Sequence, residues 1–190
     1  MADTHPTLVL VRGLPGSGKS YLARAISERV GVERVVLLDP DATDYKSDDY
    51  QQMSQQLTDD GVDKKFHPYR FLRQQAHKGI ETDKLIIWNQ AFTNLDGLQK
   101  TVTNLQSYAQ DHGTHLPLLV VEVTASHSVA RQRIADRVAT GGHDVPDEEF
   151  RRFVGDYRSF ASEDFEVISV DGEANIVESV DLVLEKVKNL

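Results

Sequence analysis

No cysteine occurs among the 190 residues. Disulfides and thiolate metal sites are excluded, which suits a reducing compartment. Long apolar runs are missing too. None approaches the ~20 residues a membrane-spanning helix needs, and the longest early run, Leu8 to Val11, has the length of a strand. Met1 to Pro6 lacks the basic start and apolar stretch of a signal peptide, so a cytoplasmic location is expected. Basic residues are in deficit, 21 Lys and Arg against 30 Asp and Glu, for a formal charge of −9. Proteins that grip long nucleic acid usually present a basic face that neutralises phosphates. The acidic total argues against such a partner and leaves room only for a local basic pocket.

What is present describes an ordinary globular chain, 39% hydrophobic and 27% charged. Its length fits one domain spanning residues 1–190, and folding at this size buries roughly 70% of the unfolded surface. Short apolar runs suited to strands buried on both faces occur at Thr7–Arg12, Arg34–Leu38, Lys84–Trp88, Leu116–Val123 and Phe165–Val170. Between them lie segments of helical periodicity: Ser20–Val30 with a stop at Gly31, Tyr45–Leu57, Tyr69–Lys78, Leu95–Ala109, residues 128–139, residues 147–160 and Ile176–Val187. Alternation of this kind predicts a three-layer α/β/α fold around a mainly parallel five-stranded sheet.

The first strand runs into Gly13-Leu14-Pro15-Gly16-Ser17-Gly18-Lys19-Ser20, which meets the pattern G-x-x-x-x-G-K-S. Each residue type has a task there. Glycines at 13, 16 and 18 permit positive φ and let backbone N–H groups come close to phosphate oxygens. The helix opening at the loop turns its positive end to the same place. Lys19 reaches the β- and γ-phosphates, and the Ser20 hydroxyl ligates Mg²⁺. With Pro15 and Ser17 these residues form the expected binding loop for ATP or GTP with Mg²⁺. The motif's context, after a buried strand and before a helix, is the one the chemistry requires.

Ligands of open parallel sheets sit beyond the carboxyl ends of the strands. Asp39 and Asp41 follow the second strand and should face the same crevice. A carboxylate there can take a proton from an acceptor hydroxyl or hold Mg²⁺ through water; the triplet Asp39-Pro40-Asp41 also reads as a simple turn. The third strand ends Trp88-Asn89-Gln90, without the acid that often supports the metal. Glu122, within the fourth strand, is either a metal-site acid or an acid on an exposed face, since buried mid-strand acids are rare unless paired or functional.

After the fourth strand come Arg131, Arg133 and Arg137. Arg133 and Arg137 are four apart, on one helical face, and two guanidinium groups so placed can fork onto phosphate oxygens. Gly141-Gly142-His143-Asp144-Val145-Pro146 follows and supplies a shaped hinge, so residues 126–160 are expected to form a small helical lid. His67-Pro68-Tyr69-Arg70 reads first as a helix start, and Trp88 as core. The seven histidines show no metal-ligand spacing, so no zinc is assigned.

The phosphate loop, the Asp39-Pro40-Asp41 turn and the run Arg133–Pro146 together resemble the zeta-toxin and polynucleotide-kinase-like group of P-loop kinases. The resemblance is carried most specifically by two arginines four apart, then Gly-Gly-His-x-Val-Pro and an acidic, Arg-containing helix at Asp147–Arg152. It implies that Asp41 activates the acceptor hydroxyl, with Asp39 the second choice and a candidate metal ligand beside Ser20, and that Arg133 and Arg137 contact phosphates during transfer. The chain departs from the group at Asp44, where Arg or Lys is usual, and at Asn89, where an acid is usual. Both departures are expected on the acceptor side.

The expected function is therefore an ATP-dependent phosphotransferase. It would use Lys19, Asp41, Arg133 and Arg137 to move a γ-phosphate to a hydroxyl of a small nucleotide-containing or sugar substrate. A polynucleotide 5′-hydroxyl kinase and a non-catalytic nucleotide-binding regulatory module are the alternatives. The resemblance raises a toxin role, for which the sequence identifies no protein antidote.

Overall fold

A computed structural model describes residues 5–160 and 166–190. Five parallel strands, β1 (Thr7–Arg12), β2 (Val35–Leu38), β3 (Leu85–Asn89), β4 (Leu118–Thr124) and β5 (Glu166–Asp171), line up in the order β2-β3-β1-β4-β5. Seven helices complete the described residues: α1 (Lys19–Val30), α2 (Asp48–Asp59), α3 (His67–Glu81), α4 (Leu95–Asp111), α5 (His127–Ala139), α6 (Asp147–Asp156) and α7 (Ile176–Lys188). This is the three-layer α/β fold that the alternating pattern predicts.

The central strand shows why it forms. Every residue of β1 is buried. Leu8 and Leu10 face a cluster with Leu72, Ala76 and Ile80 of α3 and Leu98, Val102 and Leu105 of α4. Val9 and Val11 face Leu22, Ala23 and Ile26 of α1 and Val180 and Val183 of α7. Alternate side chains of one strand thus enter two cores, as period-2 geometry demands of a sheet covered on both sides.

Several element bounds differ from the sequence reading. The second strand is expected buried on both faces, but β2 is an edge strand with Leu37 exposed, and Arg34 belongs to a short 3₁₀ turn before it. The fourth strand starts after Pro117, whose carbonyl accepts from Leu8 N at 2.9 Å. The helix expected over 147–160 ends at Asp156, and Tyr157 to Phe160 leave as an extended segment. Phe165, expected to open the last strand, lies outside the described residues.

The helices α5 and α6 stand apart from both main cores. Ala130, Ile134, Val145 and Phe150 form a small cluster of their own, with Phe153 and Val154 against it. Arg131 closes this hairpin: it donates to the Val145 carbonyl at 2.8 Å, pairs with Asp147, and lies over the Phe150 ring.

Candidate nucleotide and acceptor site

The register of the sheet brings the site together. β1 lies between β3 and β4, with Val11 beside Asn89 and Arg12 beside Glu122. The loop Gly13–Ser20 therefore leaves the sheet centre flanked by the ends of β3 and β4. Its path depends on positive φ at Gly16 (80°) and Gly18 (102°), where side chains are disfavoured. A Cβ on Gly16 would also run into the Ala130 carbonyl, so α5 presses directly on the loop.

Arg133 sets that contact. It donates to the carbonyls of Ser17 (3.2 Å), Gly16 (3.4 Å) and Gly172 (2.8 Å). These bonds tie the loop, α5 and the β5–α7 turn into one unit. Arg133 is thus committed to main-chain oxygens, whereas Arg137, one turn further along α5, lines the cleft with Lys19, Ser20, Asp39 and Asp41. The two arginines share a helical face, as spacing four requires, but meet different groups.

Lys19 opens α1 and donates weakly to the Leu14 carbonyl at 3.4 Å. Burial lowers its pKa. Asp41 and then Asp39 oppose that shift through their charge, and Arg137 adds to it. Both carboxylates after β2 are therefore electrically coupled to the loop lysine. Asp39 accepts from Asp41 N at 3.0 Å and closes the turn, and its main-chain carbonyl accepts from the Thr43 hydroxyl at 2.7 Å. The turn reading of Asp39-Pro40-Asp41 and its placement in the cleft are both satisfied by one geometry.

Asn89 links these pieces. Its Nδ2 donates to Asp39 Oδ2 at 2.6 Å and to Ser20 Oγ at 2.9 Å. The orientation follows from chemistry, since a carboxylate can only accept. Asn89 is 2% exposed, and its Oδ1 has no partner among the described residues. The Ser20 hydroxyl and the Asp39 carboxylate, bridged by this amide, are oxygens of the kind Mg²⁺ takes while keeping several waters. No cluster of three or more His, Cys, Asp or Glu that could cage a metal occurs among the described residues.

Glu122 is neither a metal-site acid nor an exposed one. It forms a buried ion pair with Arg12 at 2.7 Å and accepts from Ser159 Oγ (2.7 Å) and Phe160 N (2.5 Å). Arg12, fully buried, also donates to the carbonyls of Phe92 (3.0 Å) and Arg158 (2.8 Å). Both expectations fail because the partner lies 110 positions away and leaves no local trace. Asp44 does not line the cleft; it closes a turn ahead of α2 by accepting from Lys46 N.

The cleft has a volume of about 750 Å³. Beyond the loop it is bounded by Tyr69 and Arg73 of α3, residues Gln90 to Asn94 after β3, Lys100 and Thr101 of α4, and His143 and Phe153 of the α5–α6 hairpin. Sequence reading leaves Arg73 and Lys100 unassigned. The available signal is the helical row Tyr69-Arg73, flanking the buried Leu72 and Ala76. His67 instead supports α3 from within, bonded to Ser54 Oγ and the Val62 carbonyl. Trp88 is core, as expected.

A family model described as AAA domain matches residues 8–159. Among solved structures, a kinase candidate from Chloroflexus aurantiacus is 17% identical, with 99% of each chain covered and a TM-score of 0.65. A deoxyadenosine kinase from M. mycoides is 17% identical over 97% of this chain and all of that one, with a TM-score of 0.53. Chaetomium thermophilum Kti12, solved in complex with ADP-AlF3, is 16% identical over 94% and 97% of the two chains, with a TM-score of 0.58. At these identities the likeness is one of fold. No curated protein matches the chain.

Proposed function

Since the chain belongs to this AAA-domain family of P-loop proteins, we propose that it is a phosphotransferase that moves the γ-phosphate of ATP or GTP to a hydroxyl of a small acceptor. The observation that carries the reading is the convergence of Lys19, Ser20, Asp39, Asp41 and Arg137 on one cleft with room beyond the phosphate loop. Asp41 adds an exposed carboxylate to that cleft, available to an acceptor hydroxyl.

Each residue has a distinct part. Lys19 and the loop amides hold the polyphosphate, and Ser20 and Asp39, positioned by Asn89, would hold Mg²⁺ with its waters. When bound, that ion offsets charge between the β- and γ-phosphates. Asp41 accepts the proton from the acceptor hydroxyl as its oxygen forms a bond to phosphorus; the bond from phosphorus to the bridging oxygen breaks, and the nucleoside diphosphate leaves. Arg137 stabilises charge on the transferring group. Arg133 acts at one remove by fixing the loop, and residues 126–160 close over the cleft as a lid.

The zeta-toxin-like version of this reading rests on the run Arg133–Pro146 and Asp41. A second reading, a nucleotide-binding module without transfer, is favoured by Asn89, which replaces a charged metal support with a neutral one. The test is transfer of labelled γ-phosphate to a panel of nucleosides, nucleotide sugars and oligonucleotides, with Lys19→Ala as control. Transfer to one acceptor class, lost in Lys19→Ala and in Asp41→Asn, is expected. Tight binding of nucleotide with no transfer and no slow hydrolysis would support the second reading instead.

A further inference from the structure

The acceptor half of the cleft carries more positive charge than phosphate transfer alone requires. Arg73 on α3 and Lys100 on α4 both line it. Neither side chain makes an ion pair or hydrogen bond among the described residues. They share this cleft with Lys19 and Arg137, in a chain with nine more acids than bases. Arg73 is half-buried, and burial and then the neighbouring Arg70 both lower its pKa. An anion beside it would relieve both effects.

The same cleft carries exposed aromatic surface. Phe66 and Tyr69 are 50% and 47% exposed, and both line the cleft. The Lys65 ammonium lies over the Phe66 ring at 4.9 Å. The Tyr69 hydroxyl accepts from Gln90 Nε2 at 3.0 Å, which fixes the ring at the cleft edge. Large exposed rings beside unpaired cations form a platform for a flat, charged molecule rather than a gap in the core.

We propose that the acceptor is itself an anion, a hydroxyl compound whose phosphate or carboxylate is engaged by Arg73 and Lys100, with a flat ring seated on Tyr69. The inference rests on the phosphotransfer reading for the word acceptor, but binding tests it separately. A forked guanidinium reads a phosphate or carboxylate in two bonds, and an ammonium adds a point charge. The hydroxyl end of the same molecule then faces Asp41.

The experiment is calorimetric titration of the full chain, saturated with Mg²⁺ and a non-hydrolysable ATP analogue so that the phosphate loop is already filled. The probes are matched pairs: AMP and adenosine, UMP and uridine, gluconate and glucose. At least one anionic member is expected to bind ten-fold or more tighter than its neutral partner. Arg73→Gln should remove most of that difference, and Arg73→Lys should restore part of it. Lys100→Gln is on an exposed helix face and serves if Arg73→Gln melts early. Tyr69→Ala should weaken the nucleotides roughly ten-fold and spare gluconate, which has no flat ring; anion preference confined to gluconate would overturn the ring seat on Tyr69. Equal affinity within every pair, no binding by any anionic probe while the analogue binds, or unchanged preference in both Arg73→Gln and Lys100→Gln would overturn the proposal. Anion preference without release of ADP in a turnover assay would leave it standing and count against phosphotransfer instead.

Discussion

Arg12 and Glu122 meet at 2.7 Å inside the sheet, one residue before the phosphate loop begins and 110 positions apart in the chain. The pair is also a junction. Arg12 holds the Phe92 carbonyl at the cleft floor and the Arg158 carbonyl beyond α6, and Glu122 holds Ser159 and Phe160. Phe92 sits at φ 47°, an unfavourable backbone for a bulky residue. Breaking one partner strands a buried charge, so Arg12→Met or Glu122→Leu should each lower stability by about 3–5 kcal/mol. The double substitution should cost clearly less than the two single ones combined. Urea denaturation of the three variants checks this.

Tyr157 lies against that pair, its ring 4.4 Å from the Arg12 guanidinium. Burial pushes its pKa up, Arg12 opposes, Glu122 adds, and the outcome is about 12. The folded state therefore keeps this proton when the unfolded chain has lost it. The stability linked to it is intact below pH 10 and is lost as pH rises from 10 through 12. Tyr157→Phe should flatten the alkaline fall in melting temperature over that window. Because the hydroxyl has no partner among the described residues, the variant should be no less stable than the parent at pH 7.

Lys19 is held against its own electrostatic preference. Its folded pKa is depressed by burial, so the native state bears a penalty for charging it that the unfolded chain does not. Stability recovers as pH rises from the folded pKa toward 10.5. Lys19→Met should therefore raise the melting temperature of the nucleotide-free protein at pH 7, at about 2–4 °C per kcal/mol for this chain length. It should also abolish nucleotide binding in calorimetry.

Asn89→Asp would place a carboxylate against Asp39 Oδ2, now 2.6 Å from the amide nitrogen. Without metal the like charges should destabilise the fold, because two carboxylates sharing a site resist joint ionisation. With millimolar Mg²⁺ the order should reverse, and the variant should gain more than the parent. Thermal melts with and without Mg²⁺ read this directly, apart from any activity.

Arg133 and Arg137 should separate cleanly. Arg133→Ala removes three bonds to main-chain carbonyls. It should lower both melting temperature and nucleotide affinity. Arg137→Ala alters an exposed residue of the cleft. It should stay within about 0.5 kcal/mol of parental stability while cutting kcat by roughly 100-fold. Denaturation curves paired with steady-state kinetics distinguish the two.

The elements and the phosphate loop are legible in the sequence because their causes are local. Alternating core residues such as Leu8–Val11, helical spacing such as Leu98-Val102-Leu105, and the glycines at 16 and 18 all act within one or two turns of chain. The rest depends on register. Nothing local says that β3 will lie beside β1, yet only that neighbourhood lets Asn89 reach both Ser20 and Asp39. The burial of β2 is misjudged for the same reason: its composition suits an interior strand, but the topology leaves it at the edge. Arg133 and Arg137 look equivalent in sequence, and only the third dimension separates a structural brace from a cleft residue.

If the α5–α6 hairpin closes over the cleft as proposed, the brace formed by Arg133 sets how it moves. By riveting the middle of α5 to the phosphate loop and to Gly172, it makes that part of the helix a fixed post. Any swing of the hairpin then pivots further out, nearer Gly141 and Gly142. The moving arm would then be short, and Arg137, just before the pivot, would keep its place beside the loop.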